Sequence, residues 1–151
     1  MKEKLLFASG VYHGRKVILQ SKRFGRSSET LVIAKHGREL TPGIFIRHRQ
    51  LKILKKPDDM PSPPWDPKFS ANFVVRGDEN LALKIIDPGV VGKFFELDKS
   101  DWTKSYTIAV NGRSKAGGEV VFEYGYFTSS KKLLRKAMDL VVDLAEKCEK
   151  T

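Results

Sequence analysis

Cysteine is nearly missing from this chain: Cys148 is the one thiol among 151 residues, which excludes an intramolecular disulfide. Long apolar runs are missing as well. Leu31-Val32-Ile33-Ala34 is typical of the longest, far short of the roughly 18 residues that cross a bilayer as a helix. The opening Met1-Lys2-Glu3-Lys4-Leu5-Leu6-Phe7 lacks the apolar stretch of a signal peptide. A lone thiol without a targeting segment fits a reducing compartment, so the expected location is the cytoplasm, or the inner face of a membrane.

Acids are scarce in one place only. Residues 1–57 hold 14 Lys and Arg against Glu3, Glu29 and Glu39, a balance of +11, whereas residues 58–151 balance at −1. The net charge of +10 is therefore a local field, of the kind that attracts nucleic acid, anionic lipid or an acidic partner. All three histidines, His13, His36 and His48, stand in the same basic part. With 40% apolar and 30% charged residues, the rest is ordinary globular composition, too apolar for disorder.

Proline marks the place where the charge changes. Five of the seven prolines, Pro57, Pro61, Pro63, Pro64 and Pro67, fall within eleven residues around Trp65. Proline fixes φ and removes a donor, so residues 58–71 are expected as an extended strap, held down by an indole that prefers burial. This divides the chain into a basic β-rich part (1–57), the strap (58–71) and an α/β part (72–151).

Before the strap the pattern is β. Residues 16–20, 31–34 and 44–46 are short, branched or aromatic runs between turn clusters. Tyr12-His13-Gly14-Arg15 predicts a hairpin turn, residues 21–28 a longer loop, and the whole a three- or four-stranded antiparallel meander. Alternation places Ile44, Ile46 and His48 on one face and Phe45, Arg47 and Arg49 on the other. After the strap, residues 73–76 read as a strand. Asp78 caps a short helix over 79–86, and Asp87-Pro88 opens a second helix through Leu97. Residues 106–110 and 119–124 form a hairpin. From Ser130 to Cys148, Leu133, Ala137, Leu140, Val141, Leu144 and Cys148 make one apolar stripe at helical spacing. The expected fold class is α+β, with an N-terminal meander followed by β-α-α-β-β-α, the long last helix packed on the sheet.

Three segments in order carry a resemblance: Gly10-Val11-Tyr12-His13-Gly14-Arg15-Lys16-Val17, Trp65-Asp66-Pro67-Lys68-Phe69 and Phe73-Val74-Val75-Arg76-Gly77-Asp78. With the Pro-led helix, hairpin and terminal helix that follow, residues 10–148 resemble the soluble part of a prokaryotic domain-of-unknown-function family with a galanin-like layout. That family implies no known activity and no catalytic residues. Several of its members are membrane-tethered by apolar helices ahead of the soluble region. The resemblance thus implies either a soluble protein or a chain that begins after such an anchor.

Catalytic chemistry is not written in the sequence. Each histidine is isolated among cations, no His or Cys stands at ligand spacing, and neither a Walker loop nor G-x-G-x-x-G is present. No catalytic residue, metal or cofactor is expected. Cys148 reads as a buried thiol, and Asp58, Asp59, Asp98 and Asp101 as solvated loop charge. The basic segment is the candidate site. Arg15, Lys16, Lys22, Arg23 and Arg26 crowd one hairpin and its loop, with Tyr12 and Phe24 interleaved, and Arg47 and Arg49 share a face with Phe45. Cations with exposed rings suit single-stranded nucleic acid; equally, they describe a solvated basic face with the rings turned inward. An anionic membrane surface or a protein partner is the alternative contact. A second candidate lies at the start of the last helix. There Ser129, Ser130, Lys131 and Lys132 put hydroxyls and cations where the helix dipole favours an anion. A nearby acid that balances those cations is the simpler account. The expectation is a non-enzymatic binding module.

Overall fold

The computed structural model describes residues 4–37, 43–49, 65–101, 103–111 and 118–150. Among these residues, seven strands form one antiparallel sheet: β1 (Lys4–Tyr12), β2 (Arg15–Phe24), β3 (Ser27–Lys35), β4 (Ile44–His48), β5 (Phe73–Gly77), β6 (Tyr106–Val110) and β7 (Glu119–Tyr124). Their spatial order is β1-β2-β3-β7-β6-β4-β5. Four helices among the described residues accompany them: α1 (Pro67–Asn72), α2 (Glu79–Ile85), α3 (Pro88–Ser100) and α4 (Lys131–Lys150). The α+β class and the long last helix on the sheet are as the sequence predicts.

Local chemistry accounts for the elements. His13 and Gly14 both take positive φ (51° and 76°), the mirror-image turn that matches the twist of a two-residue hairpin. Asp66, Asp78 and Asp87 each accept a hydrogen bond from a backbone N–H in the first turn of α1, α2 and α3. Pro67 and Pro88 sit in those first turns, where a missing N–H costs nothing.

Three expectations are corrected. The segment 21–28 is not a loop: β2 continues to Phe24, a two-residue turn at Gly25-Arg26 follows, and β3 begins at Ser27. Glycine at φ 55° makes so tight a reversal possible. The meander has three strands, one of the two expected counts, but Ile44–His48 is not among them: it pairs with β5 and β6. Finally, residues 67–72 are helical where an extended strap is expected; Asp66-Pro67 is the same cap-then-proline signal as Asp87-Pro88. Residues 58–64 of that stretch lie outside the described residues.

The two faces of the sheet differ. One is covered by helices and builds the core: Val17, Val32, Ala34, Ile46, Ile108, Phe122 and Val120 pack against Leu133, Ala137, Leu140, Val141 and Leu144 of α4. Beside them, Phe69, Phe73 and Phe94 stack and cross with ring centroids 4.8–5.5 Å apart. Ion pairs tie the helix layer together: Lys93–Asp143 joins α3 to α4 at 2.8 Å, and Lys147 reaches both Asp143 and Asp87. The opposite, far face carries the alternate residues of every strand. No described helix lies on it.

Candidate functional site

The predicted cations are dealt to different places by strand alternation. Arg15 lies on the helix-covered side, where its guanidinium makes a two-pronged contact with Glu149 of α4 at 2.7 and 2.9 Å. That contact, with the Gly37 amide, holds the Glu149 carboxyl at about 2. Tyr12, its cross-strand neighbour, donates to Asp139 of α4. Both residues anchor the hairpin to the helix. Lys16 and Lys22 alternate onto the far face, where Lys22 meets Glu29 at 3.3 Å. Arg23 and Arg26 are exposed. The side chain of Phe24 lies outside the described part of the structure. Three strands, β3, β7 and β6, separate β2 from β4, so Lys22 and Arg47 stand roughly 19 Å apart across the sheet. Between them, Glu29 and Glu123 share the far face of β3 and β7 with Leu31, Ile33 and Val121, and Lys35 at the other end is paired with Glu119 at 2.6 Å. One continuous cationic track is not assembled.

At the other end of the same face, sequence-distant residues do meet. In the β4–β5 register Phe45 is opposite Arg76, and Arg47 is opposite Val74. This checkerboard leaves the two arginines diagonal, about 7 Å apart at their bases; Arg76 is half-buried, with its Nη2 out of contact with solvent. They line a hollow of about 440 Å³ with Phe45, Val74, Gly43, Ile44 and Gly77. Phe45 is 45% exposed, an unusual position for a phenyl ring on a strand otherwise well covered. Two glycines shape one end of the hollow. Gly77 has φ +115°, and a Cβ there would stand 2.3 Å from the Gly43 carbonyl oxygen. Only a chain without a side chain brings β5 so near the start of β4. Arg49 follows β4, and its amide bonds the Asn72 carbonyl at 2.7 Å.

Alternation in residues 73–76 shows that Val74 and Arg76 share a face, but not which strand lies beside them. That is why Arg76 is missing from the sequence-derived set.

The second candidate, at the start of α4, is capped from within the chain. Ser130 accepts from the Leu133 amide at 3.3 Å and so caps α4, while Thr128 accepts from the Ser130 amide. Ser129, Lys131 and Lys132 are exposed, and Lys136 in the next turn is met by Glu96 at 3.6 Å. Of the acids read as solvated loop charge, Asp98 in α3 is half-buried and Asp101 is buried, while Asp58 and Asp59 lie outside the described residues. Asp98 accepts from the Tyr106 phenol at 2.7 Å and lies 2.9 Å from His48 Nε2. Asp101 is 1% exposed and bonds Thr103 and Tyr124. Burial, then the charge of Asp98, pushes the Tyr106 phenol far up. His48 also packs on Phe73 and Tyr106, so the group pins α3 to β4 and β6 from inside. His36 is buried too, within 2.6 Å of Asn111, and Gly118 is small because the imidazole lies against it. Cys148 is fully buried. Among the described residues, no three His, Cys, Asp or Glu are grouped to hold a metal ion, and no helix is long and apolar enough to cross a membrane.

No family model matches the sequence, and no curated protein does. Among solved structures, the crystal structure of the mycobacterial trehalose monomycolate transport factor A, TtfA, is similar with a TM-score of 0.53 and 10% identity, over 95% of this chain and 69% of that one. At that identity the likeness is one of fold: the sheet and its helix layer are an arrangement that another, very different sequence also adopts.

Proposed function

We propose that this chain is a non-enzymatic binding module whose far sheet face takes an anionic partner at the β4–β5 hollow, with single-stranded nucleic acid as the leading candidate. The observation that carries the reading is the checkerboard of Phe45, Arg47, Val74 and Arg76 around a hollow of about 440 Å³. The exposed Phe45 ring beside Arg47 supplies a stacking platform next to a phosphate contact, and stacking tolerates any base. The split of the other cations between both faces favours a compact site over a long track. The test is fluorescence anisotropy with a short labelled single-stranded oligonucleotide. Binding is expected at low salt and falls as salt rises, and Phe45→Ala with Arg47→Glu weakens it by about tenfold or more. No binding at low salt removes nucleic acid from the reading.

A second contact, with an anionic membrane surface, draws on a separate observation. Lys16 and Lys22 share the far face with exposed Leu5, Phe7 and Val11. It predicts co-sedimentation with vesicles containing phosphatidylserine and none with neutral vesicles. TtfA is named as a transport factor for trehalose monomycolate; its likeness here supports the scaffold and adds no ligand.

A further inference from the structure

The two outer strands of the sheet are protected unequally. β5 is five residues long, carries Arg76, and runs directly from α1 and, through Asp78, into α2. β1 is nine residues long and pairs with β2 in unbroken register from Lys4↔Arg23 to Tyr12↔Arg15, with no bulge. From Leu5 to Tyr12 it has neither a charge nor a proline, in a chain that is 30% charged. Natural sheets blunt such an edge with lysine, proline or a bulge. This one does not.

The hairpin turn fixes where the edge groups point. A two-residue turn makes its flanking pair, Tyr12 and Arg15, exchange hydrogen bonds, and bonding then alternates along an antiparallel ladder. Leu5, Phe7, Ser9 and Val11 are therefore the residues whose N–H and C=O groups face away from β2. Their side chains lie on the far face, where Leu5, Phe7 and Val11 are 65%, 62% and 76% exposed. Apolar side chains and outward backbone groups thus belong to the same residues.

We propose that β1 pairs antiparallel with β1 of a second copy, joining two seven-stranded sheets across a two-fold axis at Ala8. This goes beyond the anionic site and does not depend on it. Full overlap of Lys4–Tyr12 sets Leu5 beside Val11 of the second copy and Phe7 beside its Ser9. The outward donors then meet outward acceptors, and the apolar patches merge into one. Two copies of a +10 chain repel, yet the run 5–12 holds none of that charge; Lys4 lies only at the two ends of the seam, beside Tyr12 of the second copy, and Lys16 and Lys22 stand one strand back. Two nine-residue edges with six exposed apolar side chains can bury of the order of 1,000 Å², the lower bound for a specific interface. A closed two-fold pair also leaves no free β1 edge for further growth.

Sedimentation equilibrium on the full chain, over a concentration series reaching the millimolar range, is expected to show a monomer–dimer equilibrium. Ser9→Pro removes one outward N–H without touching the β1–β2 ladder, and Phe7→Lys places charge at the seam. Each is expected to weaken dimerisation at least tenfold while the circular dichroism spectrum stays native. In the native chain the Phe7 and Ser9 amides should exchange slowly only at concentrations where the dimer forms. A chain that stays monomeric throughout overturns the proposal. So does a dimer that both variants leave intact, or slow exchange at those amides that appears only when vesicles are added.

Discussion

At its β5 end the sheet is wrapped. Phe69 of α1 and Phe94 of α3 close over Phe73, Asp98 and His48 bond beneath them, and Gly77 presses β5 against the residue before β4. At its β1 end the same sheet is lightly held, with Tyr12–Asp139 and Arg15–Glu149 reaching to α4 and most of the outer strand exposed. Burial therefore concentrates around the β4–β5 end, and exposure concentrates along β1. The basic third of the sequence straddles both regimes, since β4 belongs to the wrapped end and β1 and β2 to the open one. Charge density and structural rigidity are separate properties here.

The largest test of that contrast is a pair of phenylalanine truncations. Phe94→Ala empties a fully buried position against the rings of Phe69 and Phe73 and is expected to cost about 3–5 kcal/mol, read from urea unfolding. Phe7→Ala, measured below the association range, should stay within about 0.5 kcal/mol of native. Equal losses would erase the distinction between the two ends.

Glycine substitution gives a smaller and sharper version. Gly77→Ala must fit a methyl group 2.3 Å from the Gly43 oxygen at φ +115°, and is expected to lose roughly 2 kcal/mol or more. Gly10→Ala meets open space and should be neutral or stabilise by up to about 0.5 kcal/mol. Thermal unfolding of the two variants side by side decides it.

The smallest effect concerns acid. The Glu149 carboxyl is held at about 2 against an ordinary 4.5, chiefly by the Arg15 hydrogen bond. A depressed carboxylate contributes stability that is fully present above its ordinary value and lost as pH falls toward 2. Because the Glu149 side chain is 39% exposed, solvent screening limits the contribution to about 0.5 kcal/mol. Glu149→Gln should therefore be slightly less stable at neutral pH and indistinguishable from native near pH 2, with the gap closing between 4.5 and 2.

Much of the fold was legible because its signals are local. Asp78, Asp87-Pro88, the His13-Gly14 turn and the α4 stripe each specify a conformation within a few residues. Asp66-Pro67 says the same thing, yet it is hidden in a run of prolines that argues for extension. Gly25-Arg26 is hidden likewise by serines and cations that look like a loop. The candidate site was half legible. Alternation puts Phe45 and Arg47 together, but their meeting with Arg76 depends on strand order, which no local pattern encodes. His48 and Asp98 are fifty residues apart in the chain and become partners only when α3 settles on the sheet.

The place of α4 in the chain has a consequence for how the protein is made. All seven strands precede it, and β1, β2 and β3 are connected by two-residue turns, so the meander needs no distant contact to form. Its inner face, with Val17, Val32 and Ala34, has no cover until the last helix leaves the ribosome. During synthesis both faces of a basic, apolar-patched meander are exposed at once, and the growing chain is then at its most vulnerable to aggregation. A nascent chain stalled before residue 131 should accordingly need a chaperone, although the finished chain covers that face by itself.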